Sequence, residues 1–195
     1  MTPGIAEALS EDRRTFVVDP IGALSDVGGL VFNEAETLRL YLQAEAKGLE
    51  SNPSNIYRLK ATSHVKARNF FTLLSLGGAK RDDRAVPGWV VIDEAKKWAG
   101  TTDVNPSLMW MIDFGRNFNQ GIVAVGRRPR ILHRNLRQNA TCAVSFKQND
   151  ASEFPGGLEG DRSKLEHIGE HEFGVLGTLP DELDALRSWQ NYVSL

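Results

Sequence analysis

The chain predicts an α/β fold, a mainly parallel sheet with helices on both faces, and three observations lead there. Short apolar runs recur at Thr15–Val18, Ile56–Leu59, Trp89–Ile92, Ile122–Val125 and Ala143–Phe146. Continuous runs of this kind suit strands buried on both faces, as in parallel sheets. Stretches with helical spacing alternate with them, which is the pattern of β-α units. The chain has 195 residues, of which 41% are hydrophobic and 25% charged, and this is the make-up of one ordinary domain with a single core.

The elements follow in order. Residues 4–11 form a short helical stretch, and Thr15–Val18 a buried strand that Asp19-Pro20 ends, because proline cannot donate to a ladder. Leu30–Phe32 is a second, short strand. Asn33 is a natural N-cap for a helix over Glu34–Lys47, where Leu38, Tyr41 and Leu42 share one face and Gly48 closes the helix. After the Asn52–Asn55 turn comes the strand Ile56–Leu59, then a helix over His64–Leu76 that buries Phe70, Phe71, Leu73 and Leu74. Gly77–Gly88 is loop. The clearest strand, Trp89–Ile92, runs straight into Asp93-Glu94, and Pro106–Phe118 reads as a helix. The strands Ile122–Val125 and Ala143–Phe146, a Gly- and Asp-rich loop at 149–163 and the strand Phe173–Leu176 precede a polar tail at 177–195. One domain over 1–195 accommodates all of this.

Composition excludes several classes. No apolar run approaches the roughly 18 residues needed to cross a bilayer, and the opening residues do not read as a signal peptide. A single cysteine, Cys142, excludes an internal disulfide and a cysteine-rich zinc site, so the chain reads as intracellular. The net charge of -2 hides an asymmetry. Phe114–Asn149 contains no acid but seven cations (Arg116, Arg127, Arg128, Arg130, Arg134, Arg137 and Lys147), which leaves -9 on the rest of the chain. Such a basic window suits a polyanion: phosphate, nucleotide or nucleic acid. Pairing of these arginines with acids elsewhere on the chain is the plainer alternative.

In parallel sheets, ligands bind beyond the carboxyl ends of the strands. The residues there are Asp19, Asp93-Glu94 and Gly126-Arg127-Arg128-Pro129. An apolar strand ending in Asp-Glu can hold a magnesium ion through the aspartate and polarise an attacking water through the glutamate. It can equally be an acidic helix start. Arg116 lies at a helix end, where a cation is favourable and where it could also reach a neighbouring subunit's phosphate. Arg127, Arg128, Arg130, Arg134 and Arg137 recur too often for helix-end charge to explain them all. His64, His133, His167 and His171 lack metal-site spacing, Cys142 reads as core, and Trp89, Trp98 and Trp110 read as packing rather than as a base-stacking platform.

The order strand-Asp-Pro, Trp89-Val-Val-Ile-Asp-Glu-Ala95, helix, Gly115-Arg-Asn-Phe-Asn-Gln-Gly121 and Ile122-Val-Ala-Val-Gly-Arg-Arg-Pro129 resembles the HerA/FtsK superfamily of DNA-translocating ATPases. Leu136–Phe146 and Gly169–Leu176 look like that family's later strands, so the likeness spans about 15–176. In its compact size the chain is most similar to the genome-packaging ATPases of tailless, membrane-containing viruses. The resemblance implies a P-loop, RecA-like core using ATP and Mg2+, with Asp93 as the Walker B metal ligand and Glu94 as the catalytic glutamate. It also implies that Arg116 acts on a neighbouring subunit's nucleotide, and that Gly126-Arg127 stands where the family often has a glutamine. The family's GxxxxGK[ST] run, whose amides and lysine cradle phosphates, does not occur in this chain. Thr2 falls where its last residue would be. The phosphate loop and first strand are therefore expected either upstream of Met1 or lost from a degenerate relative.

The expected function is that of a DNA translocation or packaging motor subunit hydrolysing ATP between subunits of a homo-oligomeric ring, in the host cytoplasm or the virion. Arg127 and Arg128, with Thr2 and Asp19, would bind the nucleotide. Arg130, Arg134 and Arg137 would contact the DNA backbone without reading sequence. The alternative is a non-catalytic relative that binds DNA or a partner ring. A small-molecule enzyme on a doubly wound sheet is a third reading, with no nucleophile-base pair in its favour.

Overall fold

Phe16 and Tyr57, on neighbouring strands, stack with ring centroids 5.0 Å apart at the middle of the sheet. They lie on β1 (Thr15–Asp19) and β3 (Ile56–Lys60), which pair in parallel. β4 (Gly88–Ile92) flanks β1 on its other side. With β2 (Leu30–Phe32) and β5 (Gln120–Ala124) the sheet has the order β2-β3-β1-β4-β5, and all four pairings are parallel. The computed structural model describes residues 2–11, 13–22, 24–76, 86–100, 104–126, 128–146, 154, 158–188 and 191–194.

Because side chains alternate along a strand, each strand serves two cores. Phe16, Val18, Tyr57, Leu59, Val90 and Ile92 point to one face. There they meet α2 (Ala35–Glu45) through Leu38, α3 (His64–Leu76) through Phe70, Phe71 and Leu74, and α4 (Pro106–Phe114) through Leu108 and Met111. Val17, Ile56 and Val91 point to the other face and meet Ile5, Ala6 and Leu9 of α1 (Thr2–Ser10). The sheet is therefore covered on both sides, as a parallel sheet requires. No helix among the described residues is long and apolar enough to cross a membrane.

Local chemistry explains several boundaries. Asn105 caps α4, its side-chain oxygen accepting from the Ser107 and Leu108 N–H groups at 3.0 and 3.2 Å, with Pro106 in the first turn. The helix expected to reach Phe118 ends at Phe114 and tightens into a 3-10 turn over Gly115–Phe118. α2 begins one residue later than the Asn33 cap implies. Its N-cap is Glu34, without a side-chain bond, because Lys66 of α3 takes both the Asn33 carbonyl (3.1 Å) and the Glu34 carboxylate (2.6 Å). Gly121 lies opposite Trp89, and a Cβ there would come within 2.1 Å of the indole ring, so glycine is what lets the tryptophan pack against β5.

Two expectations need correction. Ala143–Phe146 and Phe173–Leu176 do not extend the parallel sheet. They form a separate three-stranded sheet of β6 (Cys142–Phe146), β7 (Phe173–Gly177) and β8 (Tyr192–Val193), with β6 and β7 antiparallel. Antiparallel strands need no crossover helix, and between β6 and β7 the described residues contain only a short 3-10 turn, Arg162–Glu166. The stretch expected as a polar tail is packed in part among its described residues. Leu179, Leu183 and Leu186 are buried against α1, the last two on a 3-10 segment over Asp181–Ser188. Polar residues flank these leucines, which is why the segment reads as solvated.

Leu183 is 3% exposed. Its replacement by alanine is expected to lower stability by about 2–4 kcal/mol, seen as a lower urea midpoint at unchanged m-value. An unpacked tail would leave the midpoint where it was. Burial also pushes the Cys142 thiol above its ordinary pKa, so less thiolate is present at mildly alkaline pH than for a free cysteine. Disulfide-reagent labelling of Cys142 is therefore expected to be slow in the folded protein at such a pH and to accelerate in urea.

Candidate functional site

The five parallel strands present their carboxyl ends along one rim, and most of the residues singled out above gather there. Asp19 ends β1 and is fully buried. Its carboxylate accepts the N–H groups of Gly22 at 2.7 Å and Leu24 at 3.1 Å, so it shapes the loop after β1. The Arg58 guanidinium donates to the Leu24 and Val27 carbonyls and fastens the same loop to β3.

Asp93 and Glu94 follow β4 directly, in a turn clamped from both sides. The Asp93 N–H donates to the Val18 carbonyl of β1 at 3.2 Å, and the Ala95 N–H donates to the Val125 carbonyl beyond β5 at 2.8 Å. Between these anchors Glu94 is left-handed, with φ 46° and ψ 49°. For an L-residue other than glycine or asparagine this conformation costs about 1–2 kcal/mol, and such strain persists only where its surroundings enforce it. The chain continues as a 3-10 turn over Ala95–Lys97. Lys97 donates from Nζ to the Pro20 carbonyl at 3.2 Å and lies 4.9 Å from the Trp98 ring centroid, tying the loops after β1 and β4 together. Trp98 is buried and meets the His64 ring edge-on at 5.0 Å.

The basic segment leaves β5 on the same rim. Arg128 is exposed and extended, and Arg130 is exposed in a 3-10 turn over Pro129–Ile131. Arg127 lies outside the described residues. The backbone then passes the end of β4's connection, where the His133 N–H donates to the Ala99 carbonyl at 2.8 Å. It enters α5 (Arg134–Gln138), a helix the sequence did not announce. Asn135 and Asn139 donate to Asp113, at 3.2 and 3.4 Å, which seats α5 on α4. Arg134 is exposed, whereas Arg137 is half-buried and donates from Nε to the Leu132 carbonyl at 3.2 Å.

The N-terminus of α1 points to this rim as well. Its last residue, Ser10, accepts from Asn55 Nδ2 at 3.1 Å, next to the start of β3, so the helix runs back toward the strand ends. The backbone of Thr2 opens it.

Arg116 is the exception. It sits in the 3-10 turn just before β5, on the opposite rim, and is exposed. Five strand residues at about 3.3 Å each separate the rims by about 16 Å, so Arg116 cannot reach the Asp93-Glu94 turn of its own chain. Gln120, in the same motif, is buried and structural. Its Nε2 donates to the Leu74 and Val86 carbonyls, each at 2.8 Å, holding the end of α3 to the start of β5. Neither this bracing nor the Lys97 tie has a sequence signal, because each depends on partners distant along the chain. Among the described residues no group of three or more His, Cys, Asp or Glu could hold a metal ion alone.

No protein-family model matches the chain, and no curated protein matches it in sequence. Solved structures do match. The genome packaging NTPase B204 from Sulfolobus turreted icosahedral virus 2, in complex with AMP, aligns with TM-score 0.62 and 11% identity over 87% of this chain and 83% of that one. Its complex with ATP-gammaS gives 0.60 and 13% identity over 84% and 75%. B204, the DNA-packaging ATPase from Sulfolobus Turreted Icosahedral Virus, gives 0.57 and 14% identity over 84% and 77%. At such identities the likeness is one of fold. The chain therefore shares the fold of the viral genome-packaging NTPases to which its sequence motifs pointed.

Proposed function

We propose that this chain is a motor subunit that translocates or packages DNA and hydrolyses ATP between neighbouring subunits of a ring, in the host cytoplasm or the virion. The observation that carries the reading is the strained, doubly clamped Glu94 at the carboxyl end of a buried parallel strand. The fold likeness to packaging NTPases, solved with ATP-gammaS and AMPPCP, supports it.

The donor set suits magnesium. Mg2+ takes one or two carboxylates and completes its octahedron with water and phosphate oxygens, so Asp93 suffices without an acidic cluster. Bound Mg·ATP would supply a γ-phosphoryl group open to attack by water. Glu94, its backbone fixed by the ladder bonds on either side, accepts a hydrogen bond from that water and orients it. Arg128 offers planar donors to phosphate oxygens on the same rim, and its sequence neighbour Arg127 is assigned the same role. Thr2 contributes the first turn of α1, a helix start suited to anions. Asp19 acts by shaping the neighbouring loop. Arg116 comes from the adjacent subunit and neutralises charge developing at the phosphoryl group. Arg130, Arg134 and Arg137 meet the DNA backbone; Arg137 does so with one donor already engaged.

A phosphate cradle also has a place in this geometry. The β2-α2-β3, β3-α3-β4 and β4-α4-β5 crossovers all step toward β5 with their helices on one face. α1 lies on the other face, so a right-handed crossover into β1 must step the opposite way. A strand feeding α1 would then pair with the free side of β5, which among the described residues bonds only to β4. A second reading is a non-catalytic domain that binds DNA or a partner ring without turnover, and the exposed Arg128, Arg130 and Arg134 support it.

Glu94→Gln is expected to keep magnesium-dependent ATP-gammaS binding while lowering hydrolysis by about 100-fold or more. Equal turnover in the two proteins would refute the role of Glu94, and salt-sensitive DNA binding without nucleotide binding would select the second reading. Glu94→Gly relieves the left-handed strain, so it is expected to stabilise the fold by about 1 kcal/mol in denaturant titrations while abolishing hydrolysis.

A further inference from the structure

Trp98 closes the 3-10 turn that follows Glu94, and its backbone is tied back into that turn. The Lys97 N–H donates to the Glu94 carbonyl at 2.8 Å, while the Trp98 and Ala99 N–H groups both donate to the Ala95 carbonyl, at 3.0 and 2.8 Å. Through these three bonds the place of Glu94 depends on the place of Trp98. The indole is 3% exposed and belongs to the core between the sheet and α2, α3 and α4. Its Nε1 is buried without a hydrogen-bond partner among the described residues, so no directional bond sets the orientation of the ring.

Packing sets it instead. Lys97 Nζ stands 4.9 Å from the ring centroid, but Lys97 is the neighbour of Trp98 on the same turn. The His64 ring meets the indole edge-on at 5.0 Å from a different element, the first turn of α3. α3 is packed on the sheet through Phe70, Phe71 and Leu74, so it offers the indole a rigid wall. His64 itself is exposed. An imidazole suits a place where a buried ring meets water, because it has an apolar body and a polar tip.

Resting on the reading of Glu94 given above, we propose that His64 is a positioning residue for hydrolysis: through Trp98 it holds the strained turn from which Glu94 orients the attacking water. It acts without touching nucleotide or metal. Once the His64 ring is removed, the indole can tilt into the space left, and residues 97–99 carry the Glu94 and Ala95 carbonyls with them. The left-handed Glu94 is the part of the turn that yields first, because relaxing it releases strain. A small displacement of a water-orienting carboxylate slows the chemical step and leaves nucleotide binding alone.

Three variants of the full chain test this. His64→Ala removes the ring, His64→Phe keeps one, and Arg68→Ala alters an exposed side chain one turn further along the same helix. Amide hydrogen exchange at Ala95 and steady-state ATP hydrolysis are measured on each. In His64→Ala the Ala95 N–H, which bonds the Val125 carbonyl, is expected to exchange about tenfold faster, with unchanged circular dichroism. Its kcat is expected to fall about tenfold or more while KM stays the same. His64→Phe is expected to restore both readouts, and Arg68→Ala to change neither. Parent-like exchange in His64→Ala, faster exchange with an unaltered kcat, or a His64→Phe chain as impaired as His64→Ala would each overturn the proposal. A parent chain that does not hydrolyse ATP would refute the reading of Glu94 itself. Exchange at Ala95 then decides alone whether His64 holds the turn, faster exchange upholding the contact and parent-like exchange ending it.

Discussion

The structure depends on one constraint: a parallel sheet buries its strands on both faces, so it must be roofed twice. β1 and β4 meet it with apolar residues at nearly every position, and Phe16, Val18, Val90 and Ile92 feed one core while Val17 and Val91 feed the other. Three helices roof the first face. α1, the Leu183–Leu186 segment and the small mixed sheet roof the second. Without the last two, the second core would open to water, which is why a polar-looking C-terminal stretch is integral to the fold.

Parallel pairing has a second consequence. It brings every strand's carboxyl end to the same rim, so residues from distant parts of the chain meet there without any local signal. The loop after β1 is organised by the buried Asp19, the turn after β4 is held between β1 and β5, and Lys97 joins the two. Rigid ladder bonds on either side of Glu94 sustain a backbone conformation it would not adopt alone. Strain held in place by neighbouring hydrogen bonds is a physical reason to look at this turn first, independent of any motif.

The same geometry separates the basic residues into two groups. Arg128 and Arg130 leave β5 on the rim of the acidic turn, whereas Arg116 enters β5 from the opposite rim. A single strand length therefore decides which arginines stand near their own chain's Asp93-Glu94 turn and which do not.

The sequence by itself determined the α/β class and the strands of the large sheet to within a residue or two, because buried strands are local patterns. It did not disclose that β6 and β7 form their own sheet, that the segment Asp181–Ser188 folds back onto α1, or that Gln120 braces α3. Each of those rests on contacts between residues far apart along the chain. Nor could it tell that Arg116 stands out of reach of its own chain's Asp93-Glu94 turn. That was decided only in the tertiary structure, since it follows from the direction and length of β5 relative to β4, and the pairing of parallel strands fixes both.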